Sequence, residues 1–366
     1  MIGVADAFAP SYARARVRFL EAAAAAGAAI ESLPHPLLGR DGETIALDLA
    51  LDGPRDADRL LIVSSGCHGV EGHAGSGAQV FALHDAEWRE RARGAGVAVL
   101  YAHALNPWGF SHGRRVTEDN VDLNRNFPSS FDPALLPSNP AYADLHALLL
   151  PSAWPPNADN QQALAQRVAT NGLPAVQAAI SRGQYAFPDG LFFGGTQPTW
   201  SHQAWRRVLR EHAVRAHRIG WIDLHTGLGT SGIGTRIFAG RPGDVQAIAR
   251  ARRWWGSEVT STPEDPSVSA QVTGSIGEAV YEACTHAQTI TGIALEFGTQ
   301  PLPEVLAALR AEQWLHNHPE RATAAVGAHI RQQLKDAFCV DTDAWRGQVI
   351  SQARQAMFQA VDGLSA

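Results

Sequence analysis

The sequence predicts an α/β fold, in which a mixed or mostly parallel sheet is covered by helices. From residue 60 onward, short apolar runs alternate with longer helical patterns, as in strand–helix–strand units. Three of the apolar runs end directly in a histidine, a glutamate or a glycine-rich loop. With 366 residues, of which 45% are hydrophobic, the chain can bury a sizeable core as one large domain or two ordinary ones.

Each predicted element follows from its local pattern. Short, alternating or wholly apolar runs predict strands at residues 28–33, 44–51, 60–63, 97–103, 219–224, 235–239 and 289–296. Apolar faces at helical spacing predict helices at residues 11–25, 74–84, 141–150, 161–181 (interrupted at 172–174), 200–215, 242–255, 276–284, 303–313, 321–338 and 343–361. The passage 133–156 is rich in Pro, Ser and Asn. We interpret residues 128–215 as a segment inserted into a single domain that spans residues 1–366.

The composition excludes several classes of function. The formal net charge is −6, Lys335 is the only lysine, and no basic block suggests binding to nucleic acid. The three cysteines are odd in number and widely spaced, so they predict neither a disulfide framework nor a cysteine metal knuckle. The first twenty residues lack the pattern of a leader, and the alanine run at 22–26 is too short to span a membrane. We therefore expect a cytoplasmic protein without a membrane partner.

The stretch 60–75, LLIVSSGCHGVEGHAG, carries the first candidate site. It predicts a buried strand that runs into a tight glycine-containing loop. His68 and Glu71 are three residues apart, so both can face one side of a turn and share a ligand. Imidazole nitrogen and carboxylate oxygen are zinc ligands, although a His-x-x-Glu pattern alone also occurs by chance on protein surfaces.

Two later strand ends strengthen that interpretation. In WIDLHTGLG (221–229), alternation puts Asp223 and His225 on one side of a strand. His225 can supply a third metal ligand, and Asp223 can lie in the outer shell. In IALEFGT (293–299), Glu296 closes an apolar strand, and a carboxylate in that position can serve as a general base unless it is simply exposed.

The stretch NVDLNRNF (120–127) supplies candidate substrate contacts. The planar guanidinium of Arg125 is suited to a carboxylate, and we assign substrate binding to Asn124 and Arg125. Arg115, ten positions earlier, can stabilise a developing oxyanion. Salt bridges between Asp122 and these arginines are the structural alternative.

Together the strand ends predict one site, because ligands gather outside the carboxyl ends of strands in open α/β sheets. His68, Glu71 and His225 would hold one Zn²⁺ per chain, and Glu296 would act as the base.

These residues resemble the zinc carboxypeptidase superfamily, including its succinylglutamate desuccinylase/aspartoacylase branch. The resemblance rests on His68-x-x-Glu71, on the later His225 and on Asp122–Phe127, DLNRNF. It assigns the oxyanion arginine to Arg115 by spacing, with Arg114 as the fallback. The stretch 183–200, GQYAFPDGLFFGGTQPTW, is similar to an uncharacterised bacterial subgroup of metallocarboxypeptidase-like proteins. The resemblance implies a single α/β domain with a mixed, mostly parallel sheet of about eight strands and helices on both faces.

The predicted function is therefore a zinc-dependent, carboxypeptidase-like hydrolase that cleaves an amide bond next to a free carboxylate, with a small peptide or an N-acyl amino acid as its substrate. An N-acyl-amino-acid deacylase would use the same residues, and a non-catalytic binding module on the same fold is an alternative of another class. A cysteine hydrolase using Cys67 beside His68 is disfavoured, because adjacent residues in an extended segment point to opposite faces. No tyrosine can be assigned to substrate binding, and a homo-oligomer stays open.

Overall fold

A seven-stranded sheet organises residues 2–261 and 271–366, which the computed structural model describes. Its strands are β1 (Ala29–Leu38), β2 (Thr44–Asp52), β3 (Arg59–Ser65), β4 (Val97–His103), β5 (Arg218–Ser231), β6 (Gly234–Phe238) and β7 (Thr289–Gly298). They lie in the order β1-β2-β4-β3-β5-β7-β6.

The four central strands, β4, β3, β5 and β7, run parallel to one another. Antiparallel strands β2 and β1 extend one side of the sheet, and antiparallel β6 closes the other. The predicted α/β fold with a mixed, mostly parallel sheet is confirmed. The described residues form seven strands, one fewer than the eight or so expected.

Fourteen helices of the described residues connect and cover the strands. They are α1 (Val4–Ala7), α2 (Tyr12–Ala25), α3 (Gly72–His84), α4 (Ala86–Gly94), α5 (Pro107–His112), α6 (Pro140–Leu149), α7 (Ala158–Asn171), α8 (Leu173–Ser181), α9 (Trp200–His212), α10 (Val245–Trp255), α11 (Gly277–Ala283), α12 (Leu302–Asn317), α13 (Ala324–Phe338) and α14 (Asp343–Ser365). Many start at a polar residue whose side chain accepts a hydrogen bond from the first helical turn, as Ser11, Asn139, Thr199 and Thr342 do.

Successive side chains of each strand point to opposite faces of the sheet, so the strands contribute to two cores, one on each face. Leu61 and Val63 of β3 pack with helices α2, α3, α10 and α14. Leu60 and Ile62 point the other way and pack with α9 and α11. This two-sided burial explains why the central strands read as continuous apolar runs.

Helices α6, α7 and α8 form a separate layer between β4 and β5 in the chain. They share a smaller core with α12 and α13 over the carboxyl edge of the sheet. The helix expected at 161–181 is two helices, because Gly172 adopts φ +83° between α7 and α8. Helix α9 packs beneath the sheet instead. That residues 128–215 are an insertion stays a prediction. The polar stretch 257–275 predicts a loop, and part of it lies outside the described residues.

Gln79 of α3 ties together the ends of two central strands. Its amide nitrogen donates to Val63 O at 2.9 Å and to Ala102 O at 3.0 Å, and its amide oxygen accepts from Ser65 Oγ at 2.8 Å. The side chain is fully buried. It therefore satisfies backbone carbonyls at the point where β3 ends and the loop to His68 begins.

We expect Gln79→Leu to lower the free energy of unfolding by about 1–3 kcal/mol, because buried polar groups lose their partners. Urea denaturation measures the change. Gln166→Leu, on the exposed side of α7, is the matched control and should change stability by less than about 0.5 kcal/mol. Equal stability of the two variants would contradict this role of Gln79.

Candidate metal centre and active site

Three neighbouring parallel strands deliver the candidate residues to one edge of the sheet. After β3, Gly66 turns the chain at φ +67°, and His68 precedes a short 3₁₀ turn, Gly69–Glu71. His225 of β5 and Glu296 of β7 are direct register partners. All four side chains are buried, although the site is polar. The predicted convergence of His68, Glu71, His225 and Glu296 is what the structure shows.

Glu71 lies between the two imidazoles. Its Oε1 is 2.8 Å from His68 Nδ1, and its Oε2 is 3.2 Å from His225 Nδ1. Ligand atoms of the three residues all lie within 4.8 Å of one another. His68 Nδ1 is buried, yet its geometry to Glu71 is not that of a hydrogen bond, so it has no hydrogen-bond partner. Two imidazole nitrogens and a carboxylate aimed at one point fit a zinc ion.

A carboxylate orients each histidine from behind. Asp122 Oδ1 lies 3.1 Å from His68 Nε2, and Asp223 Oδ2 lies 2.7 Å from His225 Nε2. Ser64 Oγ in turn donates to Asp223 at 2.6 Å. At His225 the contact with Asp223 favours the tautomer that leaves Nδ1 available as a ligand, whereas His68 Nε2 also lies 2.8 Å from Arg115 Nη2. The sequence pointed to Asp223 but not to Asp122 in this role, although Asp122 stands two residues before Asn124.

The charges of the centre compensate one another. Burial alone would raise the pKa of Glu71, but His68, His225 and Arg115 hold that pKa well below its usual range. Burial likewise opposes ionisation of Asp122, yet Arg115 and His68 hold its pKa far below the usual value. Burial would lower the pKa of His225, but Asp223 and Glu71 raise it well above its usual range. A cation bound here would displace the proton from that imidazole.

Glu296 has a raised pKa, in contrast to Glu71 and Asp122. Burial, with further repulsion from Glu71, raises the pKa of Glu296 to about 7. Its Oε1 accepts a hydrogen bond from Leu228 N at 3.1 Å, which fixes the carboxylate at the end of β7. A carboxylate whose pKa lies near neutral pH can accept and return a proton.

The three arginines predicted to act here have different surroundings. Arg115 contacts Glu71 at 2.8 Å and Asp122 at 3.2 Å, and it lines the cavity beside them. Arg125 lines the same cavity. Arg114 instead donates to Glu312 at 2.5 Å and to Asn120 at 3.1 Å, away from that cavity. The structure therefore brings Arg115 and Arg125 to the centre, but not Arg114.

Arg125 is held by backbone oxygens. Its Nε and Nη2 donate to Ser181 O at 3.1 and 2.6 Å, and its Nη1 donates to Asn124 O at 2.8 Å. These contacts use three of its five N–H donors and leave one on each Nη for a ligand. The Asn124 side chain does not line the cavity; its oxygen accepts from Ile276 N and Ser275 Oγ.

Phe192 links the two arginines of the site. The guanidinium carbons of Arg115 and Arg125 lie 5.3 and 5.6 Å from its ring centroid. Its φ of +54° is unusual for a residue with a side chain. Phe192, within the stretch 183–200, lines the cavity. Trp200, at the end of that stretch, packs edge-on against His35 instead.

Neither Tyr281 nor Tyr185 lines the cavity. Tyr281 is buried in the core beneath the sheet, and Tyr185 donates to Arg125 O at 2.7 Å. Cys67 is fully buried, and burial together with nearby carboxylates raises the pKa of its thiol well above the usual value. A thiol that resists ionisation is a poor nucleophile, which argues against a cysteine hydrolase.

Two cavities meet at Glu296. The first, of about 380 Å³, reaches from the candidate ligands between α7, α8 and α12, and we call it the apolar chamber. The second is a groove of about 410 Å³ along β5 and β6, lined by Thr230, Thr235, Gln300 and neighbouring residues. Both include Gln177, Leu228 and Leu302 at their junction. A substrate can thus extend to either side of the centre.

Comparisons with known proteins agree with this architecture. The chain belongs to DUF2817, described as a protein family of unknown function, whose model matches residues 8–352. Bovine thrombin-activatable fibrinolysis inhibitor, solved with a tick carboxypeptidase inhibitor, is similar over 98% of this chain and 97% of its own, at 10% identity and a TM-score of 0.53. That similarity shows a carboxypeptidase-like fold.

Two bacterial structures are similar at lower TM-scores. One is a candidate metallopeptidase from Shewanella amazonensis, at 15% identity over 83% of this chain and 92% of that one, with a TM-score of 0.37. The other is a succinylglutamate desuccinylase from a Silicibacter species, at 12% identity over 85% and 65%, with a TM-score of 0.39. No curated protein matches the sequence.

We expect Asp122→Asn to weaken zinc binding by about 10- to 100-fold, because His68 loses the carboxylate that orients it. Competition with a chromophoric chelator measures the affinity. Asp119→Asn, an exposed change in the same loop, is the matched control and should leave the affinity unchanged. Unaltered zinc affinity of Asp122→Asn would remove Asp122 from the centre.

Proposed function

We propose that this protein is a zinc-dependent hydrolase that cleaves an amide bond next to a free carboxylate, in the manner of a carboxypeptidase. One observation carries the proposal. His68 Nδ1, His225 Nδ1 and the Glu71 carboxylate converge on one point, and Glu296 and Arg125 line the same cavity. The set combines metal ligands, a candidate base and a candidate anion site in one place.

His68, Glu71 and His225 would hold the zinc ion. When bound, zinc lowers the pKa of water and polarises a carbonyl. The remaining tasks belong to the chain itself. Glu296 accepts the proton of the attacking water and transfers it to the leaving amine. Arg115 donates hydrogen bonds to the oxyanion that develops on the attacked carbonyl.

Arg125 anchors the substrate through its free carboxylate. Its two unused N–H groups can bind carboxylate oxygens, and the backbone oxygens of Ser181 and Asn124 prevent the guanidinium from turning away. Asn124 supports that position through its carbonyl. Its own side chain is engaged with the loop at Ser275 and Ile276, so we assign Asn124 the positioning of Arg125 and not a direct contact with the substrate.

A peptide is the substrate that the two cavities favour. The residue with the free carboxylate would lie on the side of Arg125, and the rest of the peptide would extend into the groove along β5 and β6. An N-acyl-amino-acid deacylase is the second candidate, favoured by the limited volume of the apolar chamber. A binding module without catalysis would not need the set of ligands together with Glu296.

Nucleic acid is not expected as a partner. No helix of the described residues is both long and apolar enough to cross a membrane. The cytoplasmic location and a homo-oligomeric state stay predictions from the sequence.

Glu296→Gln should retain zinc but lower kcat by about a hundredfold or more, because the amide cannot accept the proton. Metal analysis and hydrolysis of a panel of peptides and N-acyl amino acids, with and without chelator, check this. Glu304→Gln, an exposed change at the start of α12, is the matched control and should keep full activity. Turnover by Glu296→Gln at the unaltered rate would exclude Glu296 as the base.

Arg125→Ala should raise KM for substrates with a free carboxylate by about ten- to a hundredfold, since a charged hydrogen-bonding partner is lost. Amidated versions of the same peptides should already be poor substrates and should change little. Arg182→Ala, an exposed arginine beyond α8, is the control. If the variant slowed free and amidated peptides equally, the anchoring role would be wrong.

A further inference from the structure

We infer that the apolar chamber selects substrates whose carboxylate-bearing residue has a large apolar side chain. The inference rests on the proposed function for the direction in which the substrate lies. It adds the chemical class of the residue that the site accepts.

Two helices present matching apolar stripes to the chamber. On α8 the lining residues follow the spacing i, i+3, i+4, i+7, and they are Leu173, Val176, Gln177 and Ile180. On α12 the same spacing gives Leu302, Val305, Leu306 and Leu309. Such spacing puts each set on one face of its helix. Leu164 and Val168 of α7 and the rings of Phe192 and Phe338 also line the chamber. The wall is thus mostly apolar, and Gln177 is the polar member of the stripe on α8.

Arg125 directs a side chain toward this wall. Its guanidinium is bonded to Ser181 O, at the last residue of α8, and Ile180 and Ser181 line the chamber beside it. A carboxylate held by Arg125 therefore lies at the end of α8. The side chain of that same residue would then extend toward the stripe on α8.

The wall carries little charge to pair with a charged side chain. Apart from the residues of the centre and Arg125, Arg310 is the only charged residue among the described residues that line the chamber. Its guanidinium donates to Leu149 O at 2.8 Å, to Leu148 O at 2.9 Å and to Asn160 Oδ1 at 3.2 Å. These bonds hold Nε and Nη2 at the carboxyl end of α6. A basic side chain would lose hydration in the chamber without a matching group, and an acidic one would find only this tethered guanidinium.

The volume limits how much of the substrate can enter. At about 380 Å³, the chamber is near the lower end of the range for small-molecule sites. It suits one side chain, while the remainder of a peptide must occupy the groove on the other side of Glu296. The free energy gained when an apolar side chain leaves water is proportional to the area it buries, so a large side chain gains more than a small one.

The test measures binding of free amino acids, the expected leaving products, to the zinc-loaded full chain by calorimetry. Phenylalanine and leucine should bind at least about tenfold more tightly than alanine, aspartate or lysine. Leu306→Arg, at a half-buried position on the α12 stripe, should weaken phenylalanine binding by about tenfold and improve binding of aspartate. Leu135→Arg is the matched control, because Leu135 is exposed and lies outside the chamber, and it should keep the original preference.

Each outcome decides one of the two ideas. Equal affinities for all five amino acids, tighter binding of the charged ones, or no binding to zinc-loaded protein would overturn the inference, even if peptides are cleaved. An apolar preference without cleavage of any peptide or N-acyl amino acid would leave the inference standing and refute the proposed function. If Leu306→Arg does not fold, Leu173→Arg, at an exposed lining position, takes its place.

Discussion

The candidate site depends on the parallel alignment of β3, β5 and β7. Parallel strands end at the same edge of a sheet, so residues far apart in the chain arrive at equal height. Ser64 is paired with Asp223, and His225 is paired with Glu296, through backbone hydrogen bonds of the sheet. Because each strand is buried on both faces, a slip of register would move a whole set of apolar side chains to the wrong core. The geometry of the site is therefore fixed by the same packing that stabilises the fold.

Buried charge is the second requirement of the centre. Glu71, Asp122 and Asp223 lie beneath the surface together with two imidazoles and Arg115. Each carboxylate has a cationic or hydrogen-bonding partner, which is the condition under which ions persist in a protein interior. Glu296 has only the Leu228 amide as a hydrogen-bond partner among the described residues, and it is the carboxylate with the raised pKa. Burial and the charge of Glu71 raise the pKa of Glu296, whereas the imidazoles and Arg115 lower that of Glu71.

The sequence predicted those features that follow from local patterns. The candidate ligands His68, Glu71 and His225 lie at or just after strand ends. Strand alternation and turn-forming residues predict such positions from the sequence. The choice between Arg114 and Arg115 was harder, because neighbouring residues in an extended segment point in opposite directions. It depends on how that segment is bonded to Gly69 and Val70, which is a tertiary contact. The role of Asp122 toward His68 depends on a similar contact across 54 residues.

The apolar chamber could not be predicted from the sequence, although the apolar stripes of α8 and α12 can be recognised there. An apolar stripe on a helix predicts burial, but it does not say whether protein or ligand covers it. The φ of Phe192 cannot be read from a sequence that carries phenylalanine rather than glycine at that position. Gly172 did reveal the break between α7 and α8.

The layer of α6, α7 and α8 separates the residues that would recognise the substrate from those that would carry out the reaction. The ligands and Glu296 belong to the sheet and the turn after β3, whereas much of the chamber wall belongs to helices with their own small core. Energetic effects of substitutions add when the altered residues share no partners. New side chains on that wall can therefore accumulate without disturbing the network of charges beneath it. Related proteins of this fold could therefore differ in substrate preference through substitutions in helices α7, α8 and α12, while the metal ligands and Glu296 stay the same.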